Sequence, residues 1–274
     1  MLNYYLQETS YVGTSLPEIE QSFREMAKML RSKCDLDDFF KNSSFLETKV
    51  NKKDKLLNIL FDYSSKIDLD VRNNLVGYVL DRIDNEGGPY ASIEAFRSVP
   101  GKAHHFIGAR FVNKKDYEIN TYAEFLSKRE NTMLTNISNE NYPLFIPHMF
   151  KRVRFTEDGF DGLASVGNLG AVISDLKKLD NYTENHCTEG EFIMRNIRQE
   201  MGIDISGESE SVHNNKKLRD LRYFFISPEI GWQYCYNHIK IGGDIRIYIH
   251  QDVREQKIYV PYVGEHLSTA LHKC

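Results

Sequence analysis

A chain of 274 residues, 41% hydrophobic and 27% charged, is long enough to bury a substantial core as one large domain or two modest ones. Its net charge of −4 excludes a global basic field that would draw it to nucleic acid or anionic membrane, but not a local patch. The 16 tyrosines and 16 phenylalanines argue against long disorder, and no apolar run of about 18 residues suggests a membrane span.

MLNYYLQETS lacks the basic region and apolar stretch of a signal peptide. Cys34, Cys187, Cys235 and Cys274 are scattered, without CxxC or disulfide-framework spacing. Reduced thiols in a cytoplasmic protein with no membrane partner are expected.

The first helix is predicted from Leu16, Ile19, Phe23, Met26 and Leu30, which form one apolar stripe. Ser15 and Glu18 make a capping box in front of it, and Pro17 is tolerated in the first turn. Further helices are expected over about 53–65 and about 70–84, the latter stopped by Gly87-Gly88-Pro89. Residues 103–113 and 144–155 read as strands, with a short helix near 120–130. Residues 165–179 and 188–202 read as helices, the second with a Thr188–Glu191 capping box. The polar stretch 206–218 has no apolar face and reads as a loop, solvated or lid-like. From Leu221 onward, 221–226, 232–241, 244–250 and 257–263 form a β-meander. The class is α+β: a helix-rich N-terminal half (1–100), a mixed middle, and a C-terminal antiparallel β-meander closing region 101–274.

Period-2 alternation sorts chemistry onto one face of the meander. Trp232, Tyr234, Tyr236, His238 and Lys240 share one side of the first strand. Asp244, Arg246, Tyr248 and His250 share one side of the next, with Ile245, Ile247 and Ile249 opposite. A two-residue Gly242-Gly243 turn would set charges beside core isoleucines, so the hydrophobic pattern overrules it. A three-residue loop with left-handed Gly243 pairs Ile239 with Ile245, His238 with Arg246, Tyr236 with Tyr248 and Tyr234 with His250. The alternative loop, 242–244, keeps the faces and shifts the partners by two.

Histidine exchanges protons near neutral pH, arginine and lysine hold phosphate, and aromatic rings stack on bases. These are the groups of a metal-free ribonuclease, in which the RNA 2′-hydroxyl is the nucleophile. His238 and His250 are the expected acid/base pair, with Arg246 as phosphate holder and Lys240 in support. Tyr234, Tyr236, Tyr248 and His266 are the expected substrate contacts. The run RIYIHQDVREQKIYVPYVGEHL resembles the terminal hairpin of RelE-type toxin ribonucleases, with Arg246 and His266 at matching positions. That resemblance implies a cationic strand followed by an apolar strand with a basic or histidine end, and it covers this hairpin alone.

The same pattern also describes a half-exposed sheet that does no chemistry. Asp37 or Asp38 with Glu47-Thr48-Lys49 mimics a metal-nuclease pattern of a kind that chance supplies readily. His104 and His105 point to opposite faces of a strand, and zinc spacing is absent, so no metal or other cofactor is expected. No Walker A, G-x-G-x-x-G or G-x-S-x-G motif occurs. Three readings follow: a metal-independent endoribonuclease or toxin-like effector on RNA; a non-catalytic adaptor binding nucleic acid, a protein partner or a second copy, such as a subunit of a phage-defence assembly; and a Mg²⁺-dependent nuclease.

Overall fold

Leu2–Leu6 is buried at every position, which is the pattern of a central strand covered on both faces. In the computed structural model, which describes residues 2–86, 96, 103–186 and 194–269, this segment is the middle strand of a parallel sheet. The contacts divide into two units, Met1–Thr132 and Met133–Cys274, and the class is α+β.

In the first unit β1 (Leu2–Leu6), β2 (Asp37–Asn42), β3 (Asp84–Glu86), β4 (Ala103–Ile107) and β5 (Glu118–Ile119) run parallel in the order β3-β2-β1-β4-β5. The expected helices surround it. Helix α1 (Leu16–Arg31) starts at the Ser15–Glu18 capping box and buries Ile19, Phe23, Met26 and Leu30. It is followed by α2 (Leu56–Phe61), a π-wound stretch Val71–Val76 that leads into α3 (Gly77–Arg82), and α4 (Tyr122–Asn136). The Tyr4 ring packs on Phe39 and His105, at 5.0 and 5.5 Å, and the Tyr5 ring packs on Phe96 and Phe106. Helices predominate among the described residues of 1–100, and they lie around a parallel sheet whose strands the sequence pattern did not mark; the contacts divide after Thr132. Such strands are short, buried on both faces and carry no alternation to betray them. The stop at Gly87-Gly88-Pro89 and the Thr188–Glu191 box lie outside the described residues.

The second unit contains α5 (Tyr142–Met149), β6 (Val153–Phe155), α6 (Glu157–Gly162), α7 (Leu169–His186), α8 (Met194–Met201), β7 (Ile205–Gly207), α9 (Glu210–Asn214) and α10 (Lys216–Asp220). Strands β8 (Tyr223–Phe225), β9 (Trp232–Tyr234), β10 (Asn237–Ile241), β11 (Ile245–Asp252) and β12 (Lys257–Glu265) follow. One sheet has the order β6-β12-β11-β10-β7, with β6 parallel to β12 and the other pairs antiparallel; β8 and β9 form a separate ribbon.

Three expectations change here. Residues 144–155 are not one strand: Tyr142, Phe145, Ile146 and Met149 bury one helical face, with Pro143 in the first turn, and only Val153–Phe155 is extended. The segment 206–218 is not a free loop, because β7 pairs with β10 and Val212 of α9 is fully buried. Residues 232–241 are not one strand either. The chain breaks at Cys235 and Tyr236, with β9 pairing to β8 and β10 to β11.

Helix α6 lies directly on β12. A Cβ built on Gly159 would stand 1.9 Å from the Val260 carbonyl oxygen, so only glycine allows this approach. Gly159→Ala is expected to cost about 1–3 kcal/mol through overpacking, measured as a lower urea midpoint. Gly170→Ala is the control: its Cβ meets nothing within 4 Å and it sits in the first turns of α7. Equal stability of the two variants would refute the close packing.

Candidate nucleic-acid interface

The break at Cys235 and Tyr236 divides the candidate residues between two environments. The Cys235 N–H donates to the Arg222 carbonyl (2.9 Å), which ends the ribbon before the chain passes into the main sheet. Before the break, Trp232 and Tyr234 share one ribbon face with their partners Phe225 and Tyr223. Phe224 lies on the other face and packs on Tyr248 and Tyr262. After the break, His238 and Lys240 enter the main sheet opposite Tyr248 and Arg246.

The hairpin register is that of the alternative loop, 242–244: Ile241 pairs with Ile245, Lys240 with Arg246, Ile239 with Ile247 and His238 with Tyr248. The left-handed glycine is Gly242 (φ 58°), not Gly243. The pairings His238–Arg246, Tyr236–Tyr248 and Tyr234–His250 are therefore corrected by one two-residue step. Closing the loop at Ile241 and Ile245 keeps every isoleucine on the inner face.

The structure does bring His238, Lys240, Arg246 and Tyr248 together, but inside the unit. His238 is 5% exposed, Arg246 9% and Tyr248 1%. His238 Nε2 lies 3.3 Å from Ser206 Oγ, and its ring packs on Tyr248 at 5.2 Å. Burial pushes the His238 imidazole down to about 4, against the opposing pull of the Glu208 carboxylate. Arg246 Nη1 donates to the carbonyls of Gly243 and Ile245, so its guanidinium closes the hairpin turn. Lys240 is half-buried and its N–H donates to the Asp204 carbonyl.

His250 is half-buried beside Tyr259, and burial lowers its pKa. Between Tyr248↔Tyr262 and His250↔Tyr259 the register shifts, leaving an extra residue on β12 where Pro261 has no N–H to give the ladder. His266 lies just past β12, with Nδ1 2.6 Å from the Leu267 carbonyl oxygen.

What sequence reasoning missed is the group that closes this cluster. Glu208 Oε1 accepts from Arg222 Nε at 2.8 Å and from the Tyr248 hydroxyl. The side chains of Arg222 and Glu208 are 0% and 6% exposed. Burial alone would raise the Glu208 carboxyl; the hydrogen bonds from Tyr248 and Arg222 outweigh it and hold it below its ordinary value. Arg222 Nη1 also donates to the carbonyls of Leu218 and Ser268. The available signal was a lone arginine inside the apolar run LRYFFI, a buried cation that requires an acceptor.

Outside lies an aromatic face. Trp232 is 68% exposed, and Phe225, Tyr236 and Tyr223 are 45%, 44% and 42% exposed. Tyr223 and Tyr234 rings stand 5.5 Å apart, Phe225 and Trp232 6.0 Å, and Tyr234 and Tyr236 6.0 Å. His213 of α9 joins them: its Nδ1 shares a 2.8 Å hydrogen bond with the Tyr234 hydroxyl. Helix α10 follows with exposed Lys216 and Lys217, and Arg219 Nη1 donates to the His213 carbonyl.

Asp37 and Glu47 of the metal pattern are engaged elsewhere. Asp37 is buried against Arg129, at 3.1 Å, and Glu47 pairs with Lys55 rather than Lys49. Among the described residues no cluster of histidine, cysteine and carboxylate side chains could hold a metal ion, and no helix is long and apolar enough to cross a membrane. Comparison with protein-family models, curated proteins and solved structures finds no match to this chain.

Proposed function

We propose that the second unit is a non-catalytic binding module for single-stranded nucleic acid, RNA in the first instance, held on the ribbon of β8 and β9. The observation that carries this reading is the run of Phe225, Trp232, Tyr223, Tyr234 and Tyr236 on one solvent-facing side, next to the cations of α10. Successive bases stack on exposed rings at about 1–3 kcal/mol per base, and neighbouring lysines attract the phosphates. The phenols of Tyr223, Tyr234 and Tyr236 and the His213 imidazole offer hydrogen bonds to a 2′-hydroxyl, which favours RNA over DNA. Turnover is not part of this reading, because His238 and Arg246 are buried and committed to protein groups.

The chain has one tryptophan, and it stands on this face. Titration with a single-stranded oligouridine at about 50 mM salt should quench its fluorescence, and affinity should fall steeply as salt rises. Tyr236→Ala should weaken binding about tenfold with Trp232 still reporting, and Trp232→Ala should lose as much in a filter-binding assay. The RNA should remain intact in EDTA. Absence of quenching, or cleavage in EDTA that is lost in His250→Ala, would overturn the proposal; the second outcome would return the chemistry to the β10–β11 strand pair.

A further inference from the structure

Beside Tyr236, a cavity of about 500 Å³ lies between helix α8 and the free edge of β7. Strand β7 is the last of its sheet and pairs only with β10. The Lys240 N–H donates to the Asp204 carbonyl and the Glu208 N–H to the Tyr236 carbonyl, so the even-numbered residues of this segment bond to β10. The Gly207 N–H and the Ile205 carbonyl therefore point the other way, to the edge covered by α8. Arg198 Nη2 of that helix donates to the Ile205 carbonyl.

The cavity has a basic wall. Arg195 and Arg198 both line it, and a spacing of three sets them on one face of α8. The bond to Ile205 fixes the Arg198 guanidinium and leaves its other N–H groups available. Arg195 is exposed and has no acidic partner among the described residues. No carboxylate lines the cavity; Gln199 and Ser206 supply its neutral polar groups, and Met194 and Ile205 its apolar ones. Two guanidinium groups that face one space without a counter-charge favour an anion between them.

Gly207 joins this cavity to the aromatic face. A Cβ built on it would stand 3.7 Å from Tyr236 Cδ2 and 3.9 Å from Met194 Cε, so ring and cavity wall adjoin across bare backbone. The rings lead there in steps: Tyr223 and Tyr234 stand 5.5 Å apart, and Tyr234 and Tyr236 6.0 Å. A strand stacked along them reaches the cavity with its end.

We propose that the cavity holds a terminal phosphate monoester of the single strand bound on the ribbon, an inference that rests on the ribbon binding RNA. An internal phosphate is a diester with one negative charge. A terminal monoester carries about −1.5 to −2 at pH 7, which matches two arginines with no carboxylate beside them. A guanidinium fork takes two phosphate oxygens at once, and the outward Gly207 N–H is placed for a third. The volume lies within the roughly 300–1,000 Å³ of small-molecule sites, with room for an end nucleotide.

The test titrates the full chain with three oligouridines of one length, read by Trp232 fluorescence. One carries a 5′-phosphate, one a 3′-phosphate, and one a hydroxyl at both ends. One phosphorylated oligomer should bind about tenfold more tightly than the hydroxyl oligomer, and which one it is sets the direction of the strand. Arg195→Ala should abolish that preference, and Arg195→Lys should keep part of it. The side chain is exposed, so neither substitution disturbs the core. Equal binding of the three oligomers, or a preference undiminished in Arg195→Ala, would overturn the proposal. UMP against uridine in thermal melting, each at about 1 mM, reads the cavity without the ribbon. Should no oligomer quench Trp232, the ribbon reading falls; a larger Tm shift with UMP, lost in Arg195→Ala, would still sustain the phosphate site. Equal shifts with UMP and uridine would sink it as well.

Discussion

Replacing Arg222 by methionine is expected to cost the second unit roughly 3–5 kcal/mol, read as a drop in urea midpoint at neutral pH. Methionine fills much of the volume, so the loss isolates charge and hydrogen bonding. In the native protein Arg222 meets Glu208 at 2.8 Å and caps the carbonyls of Leu218 and Ser268. Through its own carbonyl it also fixes the Cys235 N–H, where the chain leaves the ribbon for the main sheet. Removing the guanidinium leaves Glu208, whose side chain is 6% exposed, as a buried carboxylate with only the Tyr248 hydroxyl to compensate it. Glu208→Gln should cost less, because an amide oxygen still accepts from both donors. The double variant, Arg222→Met with Glu208→Gln, should regain part of the loss, since no uncompensated charge remains. Additive losses in the double variant would show that the pair is not coupled. Arg222→Lys should fall between, because an ammonium cannot reproduce the guanidinium fork.

The outcome at Arg222 bears on what the sequence could and could not disclose. Alternation identified β10, β11 and β12 and sorted their side chains by face, because a one-residue slip would have moved every isoleucine to the opposite face. The same logic found α1, whose stripe and capping box are local signals. It failed where the deciding contact is remote. Strands β1 and β2 are buried on both faces, so LNYYL and DDFFKN carry no alternation to mark a solvent side. Alternation also says which residues share a face, not whether that face meets water. His238 and Tyr248 share theirs as expected, but the ribbon's Phe224 and the segment carrying Glu208 cover it. Tyr234 and Tyr236 end up outside because the chain breaks between them, at a hydrogen bond from Cys235 to a residue 13 positions earlier in the sequence. His213 lay in a segment with a single buried apolar residue, Val212, too little to mark a helix.

The buried histidines make acid the second large lever on stability. Burial pushes His105 down to about 4 from an ordinary 6.5, so in the folded protein the ring stays neutral while the unfolded chain takes up a proton below pH 6.5. The sign follows from proton counting. Between about pH 6.5 and 4 the unfolded state binds more protons, so stability is full above 6.5 and falls as pH falls through that window. At 1.36 kcal/mol per unit, His105 alone should contribute a loss of about 2–3 kcal/mol between pH 7 and roughly 4.5. His238, driven down by burial in the same direction, adds a loss of the same sign in the second unit. Urea unfolding at the two pH values measures the slope, and His105→Phe identifies its source. Phenylalanine keeps a flat ring against Tyr4, and Thr132 Oγ1 retains its hydrogen bond to the Lys128 carbonyl, so the variant should fold and lose only its share of the acid sensitivity. A slope as steep in His105→Phe as in the parent would mean that the His105 ring takes up its proton equally well folded and unfolded. The packing of Tyr4 and His105 at the centre of the parallel sheet would then be wrong.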